Sequence, residues 1–285
     1  LAERLPTWDE PVLRLAESLR AAGERAAAED AYRDTLERNP RREEALVALS
    51  GLLIQRGAAA EARVLLLRCC GINPANAEAW DTLGLALLAT EAPSLALASF
   101  ATAQRLAPDV LDYALHAVEA AAAAGELEAE LARLDVAVQD APLNAALQTA
   151  RGVALTRVGQ REAAIDAFEV AAALAPDAAL PIAFLGGVLA HANRLREAED
   201  ALRRAADRDP SNPRLRNDLA AVLMRMHRHA EAREILFALR REQGASVPVL
   251  CNLANATACV GLQAEAVAIA RAAIDLDPDS VLPRR

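Results

Sequence analysis

The most distinctive absence in this sequence is lysine. All 31 basic residues are arginine, and 40 acidic residues leave the 285-residue chain with a net charge of −9. An acidic chain without a basic stripe lacks the electrostatic footprint of a nucleic-acid-binding protein. The absence of lysine also excludes a phosphate-binding P-loop, because that motif requires the residue. The composition therefore predicts that nucleic acids are not partners.

Long apolar runs are also missing, although hydrophobic residues make up 54% of the chain and much of that fraction is alanine. No run approaches the roughly 18 residues that a membrane-spanning helix needs. The N-terminus shows no basic-then-apolar signal peptide, although the sequence starts with Leu1 rather than methionine, so that processing or trimming could have removed one. We therefore expect a soluble, cytoplasmic protein without a membrane partner.

Cysteine and histidine are too few and too scattered to indicate a metal site. The four cysteines show no C-x-x-C spacing, and the four histidines form no H-E-x-x-H motif. A site built from His227 and His229 would lack a third ligand. No catalytic constellation is recognisable elsewhere. The sequence therefore predicts that this chain alone is not an enzyme and holds neither a metal nor a cofactor.

Proline, in contrast, recurs at a fixed interval of 34 residues. Only Gly244 interrupts the series, which consists of Pro6, Pro40, Pro74, Pro108, Pro142, Pro176, Pro210 and Pro278. Such a period without insertions is the signature of a helix-turn-helix solenoid. We predict one array over residues 1–285, with repeats at 9–42, 43–76, 77–110, 111–144, 145–178, 179–212, 213–246 and 247–280 and a partial helix at 281–285.

Equivalent positions of successive repeats, 34 residues apart, form columns when the repeats are aligned. Other columns besides that of proline predict two helices and a turn. A leucine column predicts the buried stripe of a first helix, at Leu15, Leu49, Leu83, Leu185, Leu219 and Leu253. A glycine column predicts a left-handed turn, at Gly23, Gly57, Gly125, Gly159 and Gly261. An alanine column predicts close helix packing in a second helix, at Ala28, Ala62, Ala96, Ala164, Ala198, Ala232 and Ala266. Pro93 is predicted to lie in a turn between helices.

The repeat resembles the tetratricopeptide repeat (TPR) over the whole chain. The row 77–108 carries residues of the family's signature columns, at Trp80, Leu83, Gly84, Leu87, Ala96, Phe100, Ala103 and Pro108. The resemblance implies an all-α fold, a right-handed TPR superhelix (α-solenoid) of about eight repeats. It also implies a concave groove lined mainly by the first helices, and a scaffold that binds a peptide or protein partner there.

The repeat 111–144 departs most from the pattern. Its buried columns hold the small residues Ala114, Ala117 and Ala121, so it should be the least tightly packed part of the array. Glu130 and Arg151 occupy columns that are apolar in the other rows. We interpret them as a compensating ion pair, with outward-pointing side chains as the alternative.

The predicted groove differs in charge between its two halves. In the first four repeats its candidate residues are Leu13, Glu17, Val47, Asp81, Leu115 and Glu119. In the last four they are Thr149, Arg157, His191, Arg214, Asn217, Arg225, Cys251, Asn252 and Asn255. We therefore expect an extended peptide to place an acidic segment or carboxylate against repeats five to eight. A solvated face without a ligand is the alternative.

The C-terminal residues show a second, narrower resemblance. Residues 250–256 and 274–278 resemble the last repeats of SPINDLY-like O-linked N-acetylglucosamine transferases, in which a TPR superhelix presents protein substrates to a glycosyltransferase domain. That family lines its groove with an asparagine ladder, and only Asn252 stands in the matching column. Two hypotheses follow, a stand-alone adaptor and the substrate-recognition region of a larger enzyme.

The pattern also runs to both ends of the sequence. Residues 1–6 read as the end of a second helix, and residues 281–285 read as the start of a first helix. Solenoids need polar terminal caps, so we expect the chain to be part of a longer protein. An uncapped terminal repeat could also pair two copies as a homodimer.

Overall fold

The structure is a computed structural model that describes residues 9–244 and 246–277. These ranges contain sixteen α-helices and no strand, which confirms the all-α prediction. In chain order they are α1 Asp9–Ala21, α2 Arg25–Arg38, α3 Glu43–Gln55, α4 Ala59–Ile72, α5 Ala77–Ala89, α6 Pro93–Leu106, α7 Leu111–Ala124, α8 Leu127–Asp140, α9 Ala145–Arg157, α10 Arg161–Leu174, α11 Ala179–His191, α12 Leu195–Arg208, α13 Pro213–Arg225, α14 His229–Gln243, α15 Val247–Cys259 and α16 Gln263–Leu276. Odd-numbered helices are first helices and even-numbered helices are second helices.

The turn inside each helix pair contains one residue with left-handed backbone. The five glycines predicted for it have φ angles between +72° and +88°. The other three turns use Glu91 at +56°, Asn193 at +63° and His227 at +61°. Left-handed backbone crowds a Cβ atom, so glycine adopts it without the strain that other residues incur. The turn geometry is therefore the same in every repeat, whether or not glycine is present.

Prolines and asparagines define where helices begin. Pro213 is the first residue of α13, where a missing N–H costs little. Pro93 is also the first residue of a helix, α6. The prediction that it lies in the preceding turn was therefore wrong by one residue. Asn76 and Asn144 cap α5 and α9, each accepting a hydrogen bond of 2.9 Å from a backbone N–H of the first turn.

Contacts between the helices divide the chain into two compact units. Unit 1 is Leu1–Val158 and unit 2 is Gly159–Arg285. Within each unit a second helix packs on the first helix of the next pair, as α4 does on α5 and α12 on α13. First helices of successive pairs also contact each other, as α5 does with α7 and α13 with α15. First helices therefore lie next to one another along one side of each unit, and we call this set of helices the inner row of the unit. The single array of eight repeats stays a prediction.

The alanine column and the bulky column after it fill the core. All seven alanines of that column are buried, and Tyr32, Phe100 and Phe168 are at most 1% exposed. Burial of one such aromatic or leucine side chain contributes about 1.5–3 kcal/mol. One member of the leucine stripe was predicted wrongly: Leu15 is 54% exposed. In later repeats a preceding second helix covers this column, and no helix precedes α1 in the described residues.

Two glycines let a first and a second helix approach closely. A Cβ atom built on Gly84 would lie 2.4 Å from a ring carbon of Phe100. A Cβ atom on Gly186 would lie 2.6 Å from Cγ of Leu202. Both distances are far below a van der Waals contact, so each glycine fits the bulky residue that stands sixteen positions later on the second helix. The sequence resemblance included Gly84, and the structure supplies the physical reason for it.

The predicted pair between Glu130 and Arg151 was wrong. Glu130 is only 3% exposed and forms its ion pair with Arg133, one turn along α8. Arg151 instead donates a hydrogen bond of 2.6 Å to Asp135. Both charges are compensated, as a partly or fully buried charge requires, but by partners on the solvent side of α8. The predicted partial helix 281–285, the predicted helix end at residues 1–6, and Pro6 and Pro278 of the proline series lie outside the described residues.

Candidate functional site

The inner row of unit 2 carries most of the residues that the sequence singled out. It consists of the first helices α11, α13 and α15, and α13 contacts both of the others. These three helices contain one carboxylate, Asp218, against three arginines. Arg216 pairs with Glu242 of the second helix α14 at 2.7 Å, so Arg214 and Arg225 are the cations that remain for the face that the three helices share. We call it the unit 2 face, and its predicted members are His191, Arg214, Asn217, Arg225, Cys251, Asn252 and Asn255.

A hydrogen bond between two asparagines joins successive helices on this face. Nδ2 of Asn252 on α15 donates to Oδ1 of Asn217 on α13 at 3.0 Å. Both side chains are half-buried, and Asn255 lies exposed one turn further along α15. A side-chain amide offers a donor and acceptors in the arrangement of a peptide group. The asparagines can therefore bind the backbone of an extended chain without reading its sequence.

The cation most available on the unit 2 face is Arg214. Its side chain is 83% exposed, and its Nε lies 3.8 Å from Oδ2 of Asp218 on the next turn. Burial raises the pKa of the Asp218 carboxyl, while the Arg214 charge and a hydrogen bond from Asn217 act in the opposite direction. Asp218 thus holds Arg214 only weakly, and the guanidinium is free to meet an anion.

Arg225 has a structural role on the same face. Its Nη1 donates to the carbonyl of Ala190 at 2.7 Å, and its Nη2 donates to Oδ1 of Asn193 at 3.3 Å. The arginine therefore satisfies the C-terminal end of α11, which carries the negative end of the helix dipole. His191, the last residue of α11, is exposed beside this contact. Arg225 is consequently less available to a ligand than Arg214.

Three other predicted residues belong to unit 1. Arg157 is exposed at the C-terminal end of α9. Thr149 is fully buried and donates to the carbonyl of Ala145 at 2.7 Å, so the structure takes it out of the predicted surface. Asp81 is 8% exposed, and His116 Nδ1 lies 2.8 Å from its carboxylate. Asp81 and Thr149 were expected to face the groove, but in unit 1 close contact between successive first helices covers both positions.

The Asp81–His116 pair has an electrostatic consequence of its own. The hydrogen bond to Asp81 raises the pKa of the His116 imidazole above its ordinary value, and burial acts in the opposite direction. The imidazole also contacts Phe100, with ring centroids 5.2 Å apart. The pair therefore links α5 to α7 through a charge-assisted hydrogen bond and does not form a ligand-binding site in the groove.

Sequence reasoning missed a cleft in unit 1. It has a volume of about 970 Å³ and lies among α1, α2, α3 and α5, with Glu17, Arg20, Tyr32, Glu44 and Glu78 in its lining. One signal was available in the sequence. Tyr32 is the only residue with a hydroxyl in a column that otherwise holds leucine, phenylalanine and alanine.

Neither a metal site nor a membrane span is found in residues 9–244 and 246–277. No group of three or more potential ligands comes together there, and no helix is long and apolar enough to cross a bilayer. Cys69 and Cys70 are buried free thiols, and burial raises the pKa of Cys69 to about 12 and that of Cys70 to about 11. Such thiols remain protonated and unreactive at neutral pH.

Two stretches of the chain match the tetratricopeptide repeat family, at residues 13–77 and 189–248. No curated protein sequence matches the chain. Among solved structures, a chain of the APC/C hetero-tetramer Cut9–Hcn1 is similar, with a TM-score of 0.56 and 18% identity over 85% of this chain and 48% of that chain. This chain thus spans about half the length of that relative.

Two bacterial structures are similar over nearly their whole length. PilF of Pseudomonas aeruginosa has a TM-score of 0.56 and 16% identity, over 84% of this chain and 93% of that chain. A tetratricopeptide repeat protein of Parabacteroides merdae has a TM-score of 0.60 and 11% identity, over 95% and 94%. At these identities the likeness shows the fold and nothing about individual partners.

Proposed function

Because this chain is a tetratricopeptide repeat protein, we propose that it is an interaction scaffold whose unit 2 face binds an extended segment of a partner protein. The segment carries carboxylates, from acidic side chains or from a C-terminus. Repeats of this family generally mediate contacts between proteins, so a scaffold is the kind of function that the fold supports. The chemistry of the face supports the finer assignment.

The observation that carries the proposal is the Asn217–Asn252 hydrogen bond. It places two half-buried amides side by side across α13 and α15, with 3.0 Å between donor and acceptor. Arg214 stands one turn before Asn217 on α13 and is 83% exposed. An acidic segment that lies along these helices can donate and accept at the amides while a carboxylate meets the guanidinium. Arg157, also predicted as a groove residue, lies on α9 in unit 1 and is not part of the unit 2 face.

The test is binding of a labelled peptide to charge variants. The probe is a short fluorescein-labelled peptide of alternating glutamate and alanine, with a glutamine counterpart as the neutral reference, and the readout is fluorescence anisotropy. We expect Arg214→Glu to weaken binding of the acidic probe roughly tenfold, because it replaces an attraction by a repulsion. Asn217→Ala with Asn252→Ala should weaken both probes, since the amides bind backbone.

Arg241→Glu is the matched control. Arg241 is exposed on the second helix α14, away from the unit 2 face, and the substitution changes the net charge by the same amount. An equal loss of affinity in Arg214→Glu and Arg241→Glu would reduce the proposal to a general charge effect. Arg225 is a poor choice for the test because its loss also removes the contacts to Ala190 and Asn193.

The second candidate function is substrate recognition for a protein glycosyltransferase. It rests on residues 250–256 and on Asn252, the one residue that stands in the column of the ladder that the resemblance implies; Asn217, to which Asn252 donates a hydrogen bond, belongs to the neighbouring column. The chain itself contributes the TPR fold and no glycosyltransferase domain is proposed within it. The coding sequence that follows Arg285 tests this candidate directly: a glycosyltransferase domain there supports it, and a stop codon overturns it.

The remaining expectations stay predictions with their own tests. A cytoplasmic location, the absence of nucleic-acid or membrane partners, the lack of catalysis by this chain alone and a homodimer through a terminal repeat are not consequences of the fold. Sedimentation over a range of protein concentrations tests the dimer. Limited proteolysis around Val158 and Gly159 tests whether residues 1–285 behave as a single array, since one array should resist cleavage there.

A further inference from the structure

The exposed sides of the second helices in repeats two and three are apolar. On α4 the exposed residues Ala60, Val64, Leu67 and Gly71 follow one another at intervals of four, three and four, so they form one stripe along the helix. Val64 is 64% exposed and Leu67 is 55% exposed. Leu95 on α6, the next second helix, is 61% exposed. Soluble proteins rarely leave several large apolar residues exposed together unless the patch contacts another molecule.

The surface between α4 and α6 continues the stripe. Both helices pack on α5, so residues of α5 lie between them. In unit 2 the corresponding cleft has a volume of about 440 Å³, and its lining includes the charged residues Arg203, Asp207 and Arg216. The same positions four repeats earlier hold Leu67, Gly71 and Trp80. Three charged positions of unit 2 are therefore uncharged in unit 1.

Trp80 adds an aromatic ring to this surface. It is half-buried on α5, and its indole Nε1 donates to the carbonyl of Pro74 at 2.9 Å. The one polar atom of the side chain is therefore satisfied within the chain, and the rest of the ring is apolar. Tryptophan is enriched among the residues that dominate binding between proteins.

Arginines lie on both sides of the α4 stripe. At 100° per residue, Arg63 and Arg68 are offset from the middle of the stripe by about 70° in opposite directions. Arg105 lies on the exposed side of α6, near its C-terminal end. All three are exposed, and none forms an ion pair with a described residue. Arg68 donates a hydrogen bond to the carbonyl of Pro40, which leaves its charge without a counter-ion.

The carboxylates nearby do not compensate these charges. Glu61 is the only acidic residue of α4 and α6, and it is bound by Arg33 at 2.9 Å and lies 3.6 Å from Arg56. Glu91 and Asp109 lie in the turns before and after α6, outside the helices. The two helices therefore carry three arginines against one carboxylate that is already engaged, in a chain whose net charge is −9.

We propose that this surface, which we call the α4–α6 surface, binds an amphipathic helix of a partner protein. The partner helix has leucine-like residues on one face, which pack on Leu67, Trp80 and Leu95, and carboxylates beside them, which meet the three arginines. A helix is the fitting shape because the residues of the α4 stripe follow helical spacing, so a second helix can pack its ridges against them. The carboxylates follow from charge complementarity.

The same charges argue against a second copy of this chain as the occupant. A two-fold pairing of the α4–α6 surface would bring its arginines against the same arginines of the other copy. Like charges that meet across an interface are costly. The site goes beyond the proposed function, because it uses the second helices of unit 1 and a helical ligand, whereas the unit 2 face binds an extended segment.

The first experiment tests the apolar contact. The probe is a fluorescein-labelled helical peptide of alanine, with leucine at alternating three- and four-residue intervals and glutamate on both sides of the leucines. Its binding to the full chain is measured by anisotropy. Leu67→Gln with Leu95→Gln should bind the probe roughly tenfold more weakly, because two apolar contacts are lost. The matched control, Val136→Gln with Leu143→Gln, replaces residues that are 58% and 80% exposed elsewhere in unit 1 and should bind nearly as the wild type does.

The second experiment tests the charges. Arg63→Glu with Arg105→Glu should weaken binding of the glutamate peptide roughly tenfold, because two attractions become repulsions. Arg157→Glu with Arg241→Glu is the control, since both arginines are exposed on other helices and the net charge changes equally. A peptide with lysine in place of each glutamate should bind the Arg63→Glu, Arg105→Glu variant more tightly than the wild type. All substituted residues are exposed, and thermal unfolding followed by circular dichroism verifies that each variant is folded.

Four outcomes overturn the inference. The first is equal weakening in a surface variant and in its control. The second is equal affinity of the wild type for the glutamate and the lysine peptides. The third is binding of phosphatidylserine vesicles without binding of the glutamate peptide, which assigns the surface to a membrane. The fourth is a dimer in sedimentation that Leu67→Gln with Leu95→Gln dissociates, which assigns it to a second copy.

The two proposed surfaces can fail separately. Arg214→Glu should weaken binding of the extended acidic probe and leave binding of the helical peptide unchanged. Leu67→Gln with Leu95→Gln should do the reverse, because an extended peptide of glutamate and alanine has no leucine to pack on the α4–α6 surface.

Discussion

Replacing Gly84 with alanine should destabilise the third repeat, although alanine is the better helix former. The new Cβ atom would lie 2.4 Å, 2.6 Å and 2.6 Å from three ring carbons of Phe100. The ring is fully buried and cannot move into solvent. Relief therefore requires α5 and α6 to separate or the ring to leave its rotamer.

The size of the effect follows from two opposing contributions. Forcing extra volume into a packed core costs about 1–3 kcal/mol. Alanine gains about 1 kcal/mol over glycine in a helix interior. Three simultaneous overlaps with a fully buried ring place the steric cost at the upper end of its range, so we expect a net loss of about 2 kcal/mol in the free energy of unfolding.

Urea denaturation followed by tryptophan fluorescence is the suitable assay. Trp80 lies one turn before Gly84 on α5, so its emission reports on this repeat once the other tryptophan, Trp8, is replaced by phenylalanine in all samples. Circular dichroism measured in parallel shows whether the remaining helices unfold in the same transition, which a repeat protein need not do. Gly51→Ala on α3 is the control, because its Cβ atom has no neighbour within 4 Å and should gain about 1 kcal/mol.

A double variant tests the reasoning. Gly84→Ala combined with Phe100→Leu reproduces the smaller pairing of the second repeat, where Ser50 stands opposite Leu66. The two substitutions should cost less together than the sum of their separate effects. Strict additivity, or stabilisation by Gly84→Ala alone, would refute a steric role for Gly84.

Three further predictions concern the turns, the pH dependence and local stability. Glu91→Gly should stabilise the chain by about 1 kcal/mol in urea denaturation, because Glu91 has a φ of +56° that glycine adopts without strain. The His116 pKa is raised in the folded chain, so the Asp81–His116 contact stabilises the fold fully below the usual histidine pKa of about 6.5. This stabilisation is lost as pH rises through the folded value. Asp81→Asn should therefore flatten the decline of the unfolding temperature between pH 6 and pH 8. Amide hydrogen exchange should be fastest in residues 111–137, because α7 and α8 share the least contact of the helix pairs within either unit.

Each of these has an outcome that contradicts it. Gly125→Ala should destabilise the corresponding turn of the fourth repeat, so equal stability of both turn variants would remove the argument from backbone strain. An unchanged pH profile in Asp81→Asn would assign the pH dependence to other groups. Slow exchange in residues 111–137 together with fast exchange elsewhere would show that alanine-rich packing is not the weak point.

Much of the fold could be predicted because its signals are local. The 34-residue spacing of proline, the turn glycines and the alanine column each act within one helix pair, so a single sequence displays them. The left-handed turn at Gly57 and the burial of Ala62 follow from residues a few positions apart. The helix starts capped by Asn76 and Asn144 are equally local.

The candidate sites were less predictable because they depend on contacts between repeats. Asp81 and Thr149 occupy the same repeat column as Asn217, yet in unit 1 successive first helices come close enough to bury both residues, whereas Asn217 is only half-buried. Glu130 and Arg151 looked complementary because they belong to adjacent repeats, but each found a partner closer by, Arg133 and Asp135. Partner choice depends on side-chain distances, which a periodic pattern does not contain.

The sequence by itself determined the class of the fold, the helix and turn positions and the opposite charges of the two inner rows. These properties depend on which residue types recur at a fixed spacing, because the spacing determines which residues share one face of a helix. The tertiary structure decided which residues of those faces are available, because burial depends on how closely neighbouring helices pack. It left Arg214 exposed, joined Asn217 to Asn252 and covered Thr149.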